Sequence, residues 1–360
     1  SLDRGDHWQE ISPDLTTNDE AKLHGEGFIT FCTMTTLAES PARAGIIWAG
    51  ADDGKVQVTK DGGASWLDRT PSLAAAGAPA NYWVSRVFPS PHDAATCFVA
   101  KTGWRLDEYK PVLYKTTDLG ETWTPIMGNL PADKPINVVI QDRKNANLLF
   151  AGTEQGVYMT IDGGKIWLPF KQNMPWVKVT DLVIHPREND LVVGTYGRGV
   201  YVTDISPLQE LTAERLGQDV HLFDIEPRVQ RVYGGIGNYQ LLGDTPLFTP
   251  NEPNAAVINY YLKDKPAGTV KVTVADPFGT VYRELTGKPE AGFGQVLWDM
   301  RAPRPQGQPA GQRGFGAGGA WAEPGEYVVT LEANGKKVAK RAVIRGRQGW
   351  TVGAVPVMIK

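Results

Sequence analysis

The sequence predicts an all-β chain: about four stacked four-stranded sheets, followed by a second and smaller β module. Three observations predict it. One octapeptide pattern, Ser/Thr-x-Asp-x-Gly-x-x-Trp, occurs four times in the first half, at Ser1–Trp8, Thr59–Trp66, Thr116–Trp123 and Thr160–Trp167. A second pattern, an apolar run, a polar turn and another apolar run, is interleaved with it. After residue 253 the octapeptide is gone, but short β-rich runs continue. The closing tryptophans of the octapeptides stand 58, 57 and 44 residues apart. A repeat of that length is one supersecondary unit, which buries its apolar face only by stacking on neighbours.

Each octapeptide lies between strand-like runs. Gly156-Val157-Tyr158-Met159-Thr160 precedes the fourth copy and Ile166-Trp167-Leu168-Pro169-Phe170 follows its turn. Such β-branched and aromatic runs, bounded by Gly, Asp and Asn, read as sheet with tight turns. The aspartate accepts hydrogen bonds from turn amides, the fifth-position glycine takes a positive φ, and the tryptophan is expected to pack across its blade. The interleaved pattern runs from Val87–Asp93 into Cys97–Ala100, from Val139–Asn145 into Leu148–Gly152, and from Leu182–Asn189 into Leu191–Gly194. One unit therefore reads strand A, polar turn, strand B, loop, strand C, Asp-containing turn, strand D. That is a four-stranded antiparallel blade.

At these residues the chain resembles the Asp-box (BNR-repeat) β-propellers, and more narrowly the bacterial relatives of the sortilin-type receptor domain labelled "glycosyl hydrolase, BNR repeat". Arg105–Pro111 with Leu113–Asp118, and Ala151–Tyr158, are the phrases closest to that group. The resemblance implies an extracellular or periplasmic location. It also implies rings of six to ten blades, so a chain with about four, whose first residue falls inside a box, is expected to be the C-terminal part of a larger propeller or to be completed by another polypeptide.

In order along the chain, residues 1–10 supply the last strand of a blade. Three full blades follow near 26–70, 82–127 and 135–171, and a fourth starts at Val177 and loses its box at Asp204-Ile205-Ser206-Pro207. The propeller part is set at 1–205. Ser206 is placed as N-cap of a helix over Pro207–Leu216, and residues 206–252 are read as this helix with a linker packed on the last blade. Strands at Ala256–Leu262, Thr269–Val274, Val281–Leu285, Gln295–Met300, Tyr327–Glu332 and Val338–Ile344 make 253–346 an immunoglobulin-like β-sandwich. Asn334-Gly335 is a type I′ hairpin signal, Arg301–Pro324 reads as a Gly/Pro-rich loop, and 347–360 as a tail.

Composition narrows the function. Forty Gly and 26 Pro suit a turn-dense chain, and a net charge of −3 gives no footing for nucleic acid. No run approaches the ~20 apolar residues of a membrane span, so no membrane insertion is expected. The two cysteines, Cys32 and Cys97, fall in apolar strands and read as buried free thiols. The five histidines, His7, His24, His92, His185 and His221, lack metal-ligand spacing and read as turn or surface residues; no metal or cofactor is predicted.

In a propeller the C–D turns share one rim. Asp3, Asp61, Asp118 and Asp162, with Trp8, Trp66, Trp123 and Trp167, are therefore read as structural. The opposite face gathers the B–C and D–A loops. It supplies the ligand-binding candidates: Asp52, Asp53, Trp83, Trp104, Arg105, Asp107, Glu108, Tyr109, Glu154, Trp176 and Arg198. Aromatic faces stack on sugar or peptide surfaces and arginine clamps carboxylates. The competing reading is that Trp83 and Trp176 fill blade interfaces, and that Arg105–Asp107 or Glu108–Lys110 pairs merely shape the longest loop. A protein or glycan partner held by a scaffold is the first functional expectation. A glycoside hydrolase using two of Asp52, Asp53, Asp107, Glu108 and Glu154 is the second, since such enzymes need carboxyls about 5 Å or somewhat more apart. No nucleophile elbow, phosphate loop or sialidase-type Arg-Ile-Pro segment occurs.

Overall fold

A computed structural model describes residues 1, 3–23, 31–171, 173–232, 253–302, 319–349 and 357–359. His24, most of the 223–252 linker, most of the 301–324 loop and most of the tail lie outside them. The chain divides into two compact units, Ser1–Leu211 and Thr212–Lys360.

The first unit holds four antiparallel blades. Blade 1 consists of β1 (Met34–Glu39), β2 (Ile47–Ala51), β3 (Val56–Thr59) and β4 (Leu67–Asp68). Blade 2 has β5 (Trp83–Pro89), β6 (Cys97–Gly103), β7 (Glu108–Thr116) and β8 (Thr124–Pro125). Blade 3 has β9 (Ile136–Gln141), β10 (Leu149–Thr153), β11 (Gly156–Thr160) and β12 (Leu168–Phe170). Blade 4 has three described strands, β13 (Val179–Ile184), β14 (Asp190–Thr195) and β15 (Val200–Asp204). The second strands are the most deeply buried: every residue of β6 and β10 is inside, as expected of a strand covered on both faces.

The octapeptides at Thr59, Thr116 and Thr160 form the turns between third and fourth strands. Thr59 Oγ1 donates to Asp61 Oδ1 (2.7 Å) and accepts the Gly63 amide (2.9 Å); Asp61 also accepts the Ser65 amide (2.9 Å) and hydroxyl (2.6 Å). The copies at Thr116 and Thr160 repeat the threonine–aspartate bond at 2.7 Å. The fifth-position glycines have φ of +102°, +102°, +82° and +100° at Gly5, Gly63, Gly120 and Gly164, where a side chain would be strained.

Trp123 and Trp167 pack in cores that include strands of their own blades, Val112 and Tyr114 for the one and Leu149 and Tyr158 for the other. The indole N–H groups also reach the preceding repeat, which the sequence did not announce. Trp66 Nε1 donates to the Ile11 carbonyl (3.0 Å), Trp167 Nε1 to that of Ile126 (2.8 Å), and Trp123 Nε1 to Ser72 Oγ (3.2 Å). The reason is the indole N–H, which needs an acceptor once covered. Trp8, which has no such acceptor among the described residues, is 82% exposed.

Residues of the innermost strands β1, β5, β9 and β13 line one groove of about 430 Å³. Arg86 on β5 passes the intervening blade to pair with Asp181 on β13 at 2.6 Å.

In the second unit, β16 (Val220–Leu222), β18 (Ala256–Leu262) and β21 (Gly292–Trp298) make one sheet. The order β17 (Arg228–Val232), β23 (Lys336–Gly349), β22 (Gly325–Ala333), β19 (Val270–Ala275), β20 (Val281–Gly287) makes the other, with β24 (Val357–Ile359) also on β23. Both sheets bury side chains in one core around Tyr260, Trp298, Val272 and Leu331. Asn334 and Gly335 both have positive φ, as a type I′ hairpin requires.

Several expectations need correction. Residues 228–232, read as linker, pair in parallel with β23; an isolated parallel edge strand carries no alternating signal over five residues. The helix over 207–216 is two short turns, Ser206–Gln209 and Ala213–Leu216. Ser206 does not cap it: Ile205 holds the cap position, and Ser206 bonds Asp204 instead. Cys97 is buried but Cys32 is only half-buried; both thiols are free. His221 is neither turn nor surface: it is buried in β16 with its ring edge-on to Phe223 at 4.7 Å.

Candidate functional site

Nine of the eleven candidate residues sit where second strands hand over to third strands, and Trp83 and Trp176 stand at the entries to the first strands of blades 2 and 4. The excursion expected at Lys101–Pro111 is mostly strand: β6 and β7 run on to a 3-10 turn, Trp104–Leu106, closed by Asp107 in the left-handed region at φ 58°. That turn carries the aromatic and basic groups outward. Arg105 folds back, its guanidinium 4.3 Å from the Trp83 ring and 5.4 Å from those of Trp104 and Phe31. It lies 4.0 Å from Asp52. Arg105 therefore reaches blade 1, and the pairing within the loop with Asp107 is not made; Asp107 accepts the Tyr109 hydroxyl at 2.9 Å instead. That bond raises the Tyr109 hydroxyl above its ordinary pKa. Burial, then the Glu108 charge, raises the Tyr82 hydroxyl above its ordinary pKa.

Asp52 and Asp53 are 5% and 4% exposed. Asp52 accepts the Thr33 amide (2.8 Å), and Asp53 accepts the amides of Thr17 (2.5 Å) and Lys55 (3.1 Å). These carboxylates hold turns. Beneath them Lys101, 1% exposed, donates to the carbonyls of Pro79 (2.5 Å), Ala80 (3.1 Å) and Gly54 (3.3 Å). Burial lowers its ammonium pKa to about 8, against the opposing pull of Asp53.

One shallow depression of about 330 Å³ opens beside Trp104 and Tyr109, floored by Pro135 and edged by Asp133, Glu154, Gln155 and Lys178. Glu154 pairs with Lys178 at 2.9 Å. Lys134 bridges Asp133 (2.9 Å) and Gln155 (2.5 Å). Trp104 and Tyr109 are 40% and 50% exposed. Trp176 stands 47% exposed at the entry to blade 4; it covers Gly156, where a Cβ would come within 2.6 Å of its ring, and Lys171 lies 5.0 Å from it. Arg198 lies exposed on the β14–β15 turn.

The structure thus gathers Trp104, Tyr109 and Glu154 around one depression, with Trp83 and Arg105 packed behind it. It leaves Asp52 and Asp53 inside. Sequence reasoning missed Asp133, Lys134, Pro135 and Lys178. The repeat phase held the signal, since residues 131–135 enter blade 3 as 79–82 enter blade 2. Among the described residues no group of three His, Cys, Asp or Glu is placed to hold a metal, and no described helix is long and apolar enough to cross a membrane.

Four successive antiparallel blades whose inner strands line one groove define a β-propeller. No family model matches the chain and no curated protein matches it. Solved structures do. The extracellular domain of a putative hybrid two-component system from B. thetaiotaomicron is 11% identical, with 87% of this chain and 38% of that one covered, at a TM-score of 0.36. A GH74 xyloglucanase from Xanthomonas campestris is 16% identical over 87% of this chain and 44% of the enzyme, at 0.39. YCF48 bound to D1 peptide is 15% identical over 86% and 82%, at 0.36. The chain spans less than half the length of the first two.

Proposed function

We infer that this chain is an extracytoplasmic binding and scaffold protein of the Asp-box, sortilin-like kind, holding a protein or glycan partner over Trp104, Tyr109 and the Glu154–Lys178 pair. The second unit, in this reading an immunoglobulin-like module, serves as spacer or docking element, and accessory service to a membrane complex is the setting the resemblance suggests. One observation carries the preference for binding over hydrolysis. Four of the five carboxylates that could form a glycosidase pair are already engaged, which leaves no second partner for Glu108: Asp52 and Asp53 with backbone amides, Asp107 with Tyr109, and Glu154 with Lys178. Exposed aromatic faces edged by hydrogen-bonding groups remain.

The test is a glycan array and a displayed peptide library, run beside a hydrolysis screen on xyloglucan and sialosides. Binding without turnover is expected, weakened at least about tenfold by Trp104→Ala, roughly 1.4 kcal/mol. Turnover abolished by one Asp→Asn or Glu→Gln change among those five carboxylates would replace this reading with the hydrolase.

A further inference from the structure

In blades 1, 3 and 4 the residue just before the inner strand accepts the amide of the residue just after the second strand. Thr33 accepts that of Asp52 (3.0 Å), Pro135 that of Glu154 (3.1 Å) and Lys178 that of Tyr196 (2.9 Å). Threonine and proline fill this place as well as lysine does, because only the carbonyl is used. The blade therefore has no need of the Lys178 side chain, which is directed elsewhere.

It reaches back toward blades 3 and 2. Its ammonium lies 2.9 Å from Glu154 Oε1 and 5.9 Å from the centre of the Trp104 ring. Lys178 thus lays a cation between a carboxylate and an indole, at the edge of the depression that all three residues line. The contact with Glu154 is ionic only. Glu154 Oε1 is buried and accepts no hydrogen bond among the described residues. The other groups there suit a cation as well. The Tyr109 hydroxyl is committed to Asp107 (2.9 Å), so Tyr109 offers its ring. Asp133 and Gln155 present acceptor oxygens, which already draw Lys134 (2.9 and 2.5 Å).

We propose that this depression is a cation site occupied from within by Lys178, and that a lysine or arginine side chain of a protein partner displaces it. The proposal rests on recognition over Trp104, inferred above, in its protein form. The physical grounds are three. The indole and phenol faces and the carboxylate attract an ammonium or guanidinium group from the open side. A donor aimed at Glu154 Oε1 gains the charge-assisted hydrogen bond that Lys178 does not make. Lys178 itself is lightly held, because an ion pair between half-exposed partners contributes little, and its flexible stem can return the ammonium to water.

The test uses the full chain, isotope-labelled at tryptophan, titrated with blocked pentapeptides Gly-Gly-Xaa-Gly-Gly in which Xaa is Lys, Arg, Met or Glu. The Trp104 indole N–H resonance, assigned by its loss in Trp104→Phe, is the readout. The Lys and Arg peptides are expected to shift it and the Met and Glu peptides to leave it in place. Lys178→Met is expected to tighten the Lys and Arg peptides about three- to fivefold, since the internal competitor is gone, without moving the urea midpoint. Lys178→Arg, which restores a cation, returns the affinity toward that of the parent. Glu154→Gln in the Lys178→Met background weakens the same peptides at least about tenfold. Affinity unchanged or lowered in Lys178→Met would overturn the proposal. So would a Glu peptide that binds in place of the Lys peptide, or a Trp104 resonance that no peptide moves in Lys178→Met. Those results leave the wider reading standing; it falls instead if the strongest ligand from the array binds Trp104→Ala as tightly as the parent.

Discussion

Replacing Trp123 by alanine tests the role of the octapeptide turns. Trp123 is 8% exposed, lies edge-on to Trp48 with ring centroids 5.9 Å apart, and donates to Ser72 at 3.2 Å. Its side chain therefore ties blade 2 to the segment leaving blade 1. An indole that buries about 200 Å² gains at most about 5 kcal/mol at ~25 cal/mol per Å². Truncation of a buried aromatic costs about 3–5 kcal/mol with the cavity included. Trp8 occupies the same place in its octapeptide but is 82% exposed, so Trp8→Ala in dilute solution is expected to cost under about 0.5 kcal/mol. Because the chain has two units, the readout is hydrogen exchange in peptides covering β2, β3, β6 and β7, with urea unfolding alongside. Trp123→Ala should lower protection there by the full amount and leave β18–β23 unchanged. A loss below about 1 kcal/mol, or an equal loss from Trp8→Ala, would refute the reasoning.

Other outcomes follow from the same geometry. Hydrogen bonds from Ser65 and Thr59 hold the Asp61 carboxyl at about 2; for Asp118, burial pushes upward but the bonds from Thr122 and Thr116 prevail, again at about 2. Folded values below the unfolded one give stability present above about pH 4 and lost as pH falls toward 2, so Asp61→Asn with Asp118→Asn should flatten the acid limb of a denaturation profile. A thiol reagent should label Cys32 in the native chain and reach Cys97 only on unfolding, because burial covers Cys97 and pushes its thiol pKa well up; mass spectrometry of labelled peptides checks this. Gly54→Ala should be poorly tolerated. Gly54 has φ +95° and a Cβ there would lie 1.9 Å from the Ala80 carbonyl, so thermal melting of the first unit should fall sharply.

The blades were legible because each octapeptide fixes its turn locally. Threonine, aspartate and glycine make their bonds within five residues, so spacing alone reports the hairpin. The tryptophan contacts were not legible, since Ile11, Ser72 and Ile126 are their partners only through stacking. The candidate site was half legible. Trp104 and Tyr109 announce themselves on a long strand connection, but Lys178 and Pro135 join them from the next blades, and no local pattern marks that meeting. Asp52 and Asp53 misled for a related reason: two adjacent carboxylates look like chemistry until the amides of Thr33 and Thr17, from a distant segment, are seen to claim them.

Recognition by the face around Trp104, without bond cleavage, is the central claim. Titration calorimetry with the strongest glycan or peptide from the array, on the parent chain and on Trp104→Ala, measures that directly. A single binding event without product heat, weakened at least about tenfold in the variant, is the predicted result. Unchanged affinity in the variant, or steady heat from turnover of the added glycan, would contradict it.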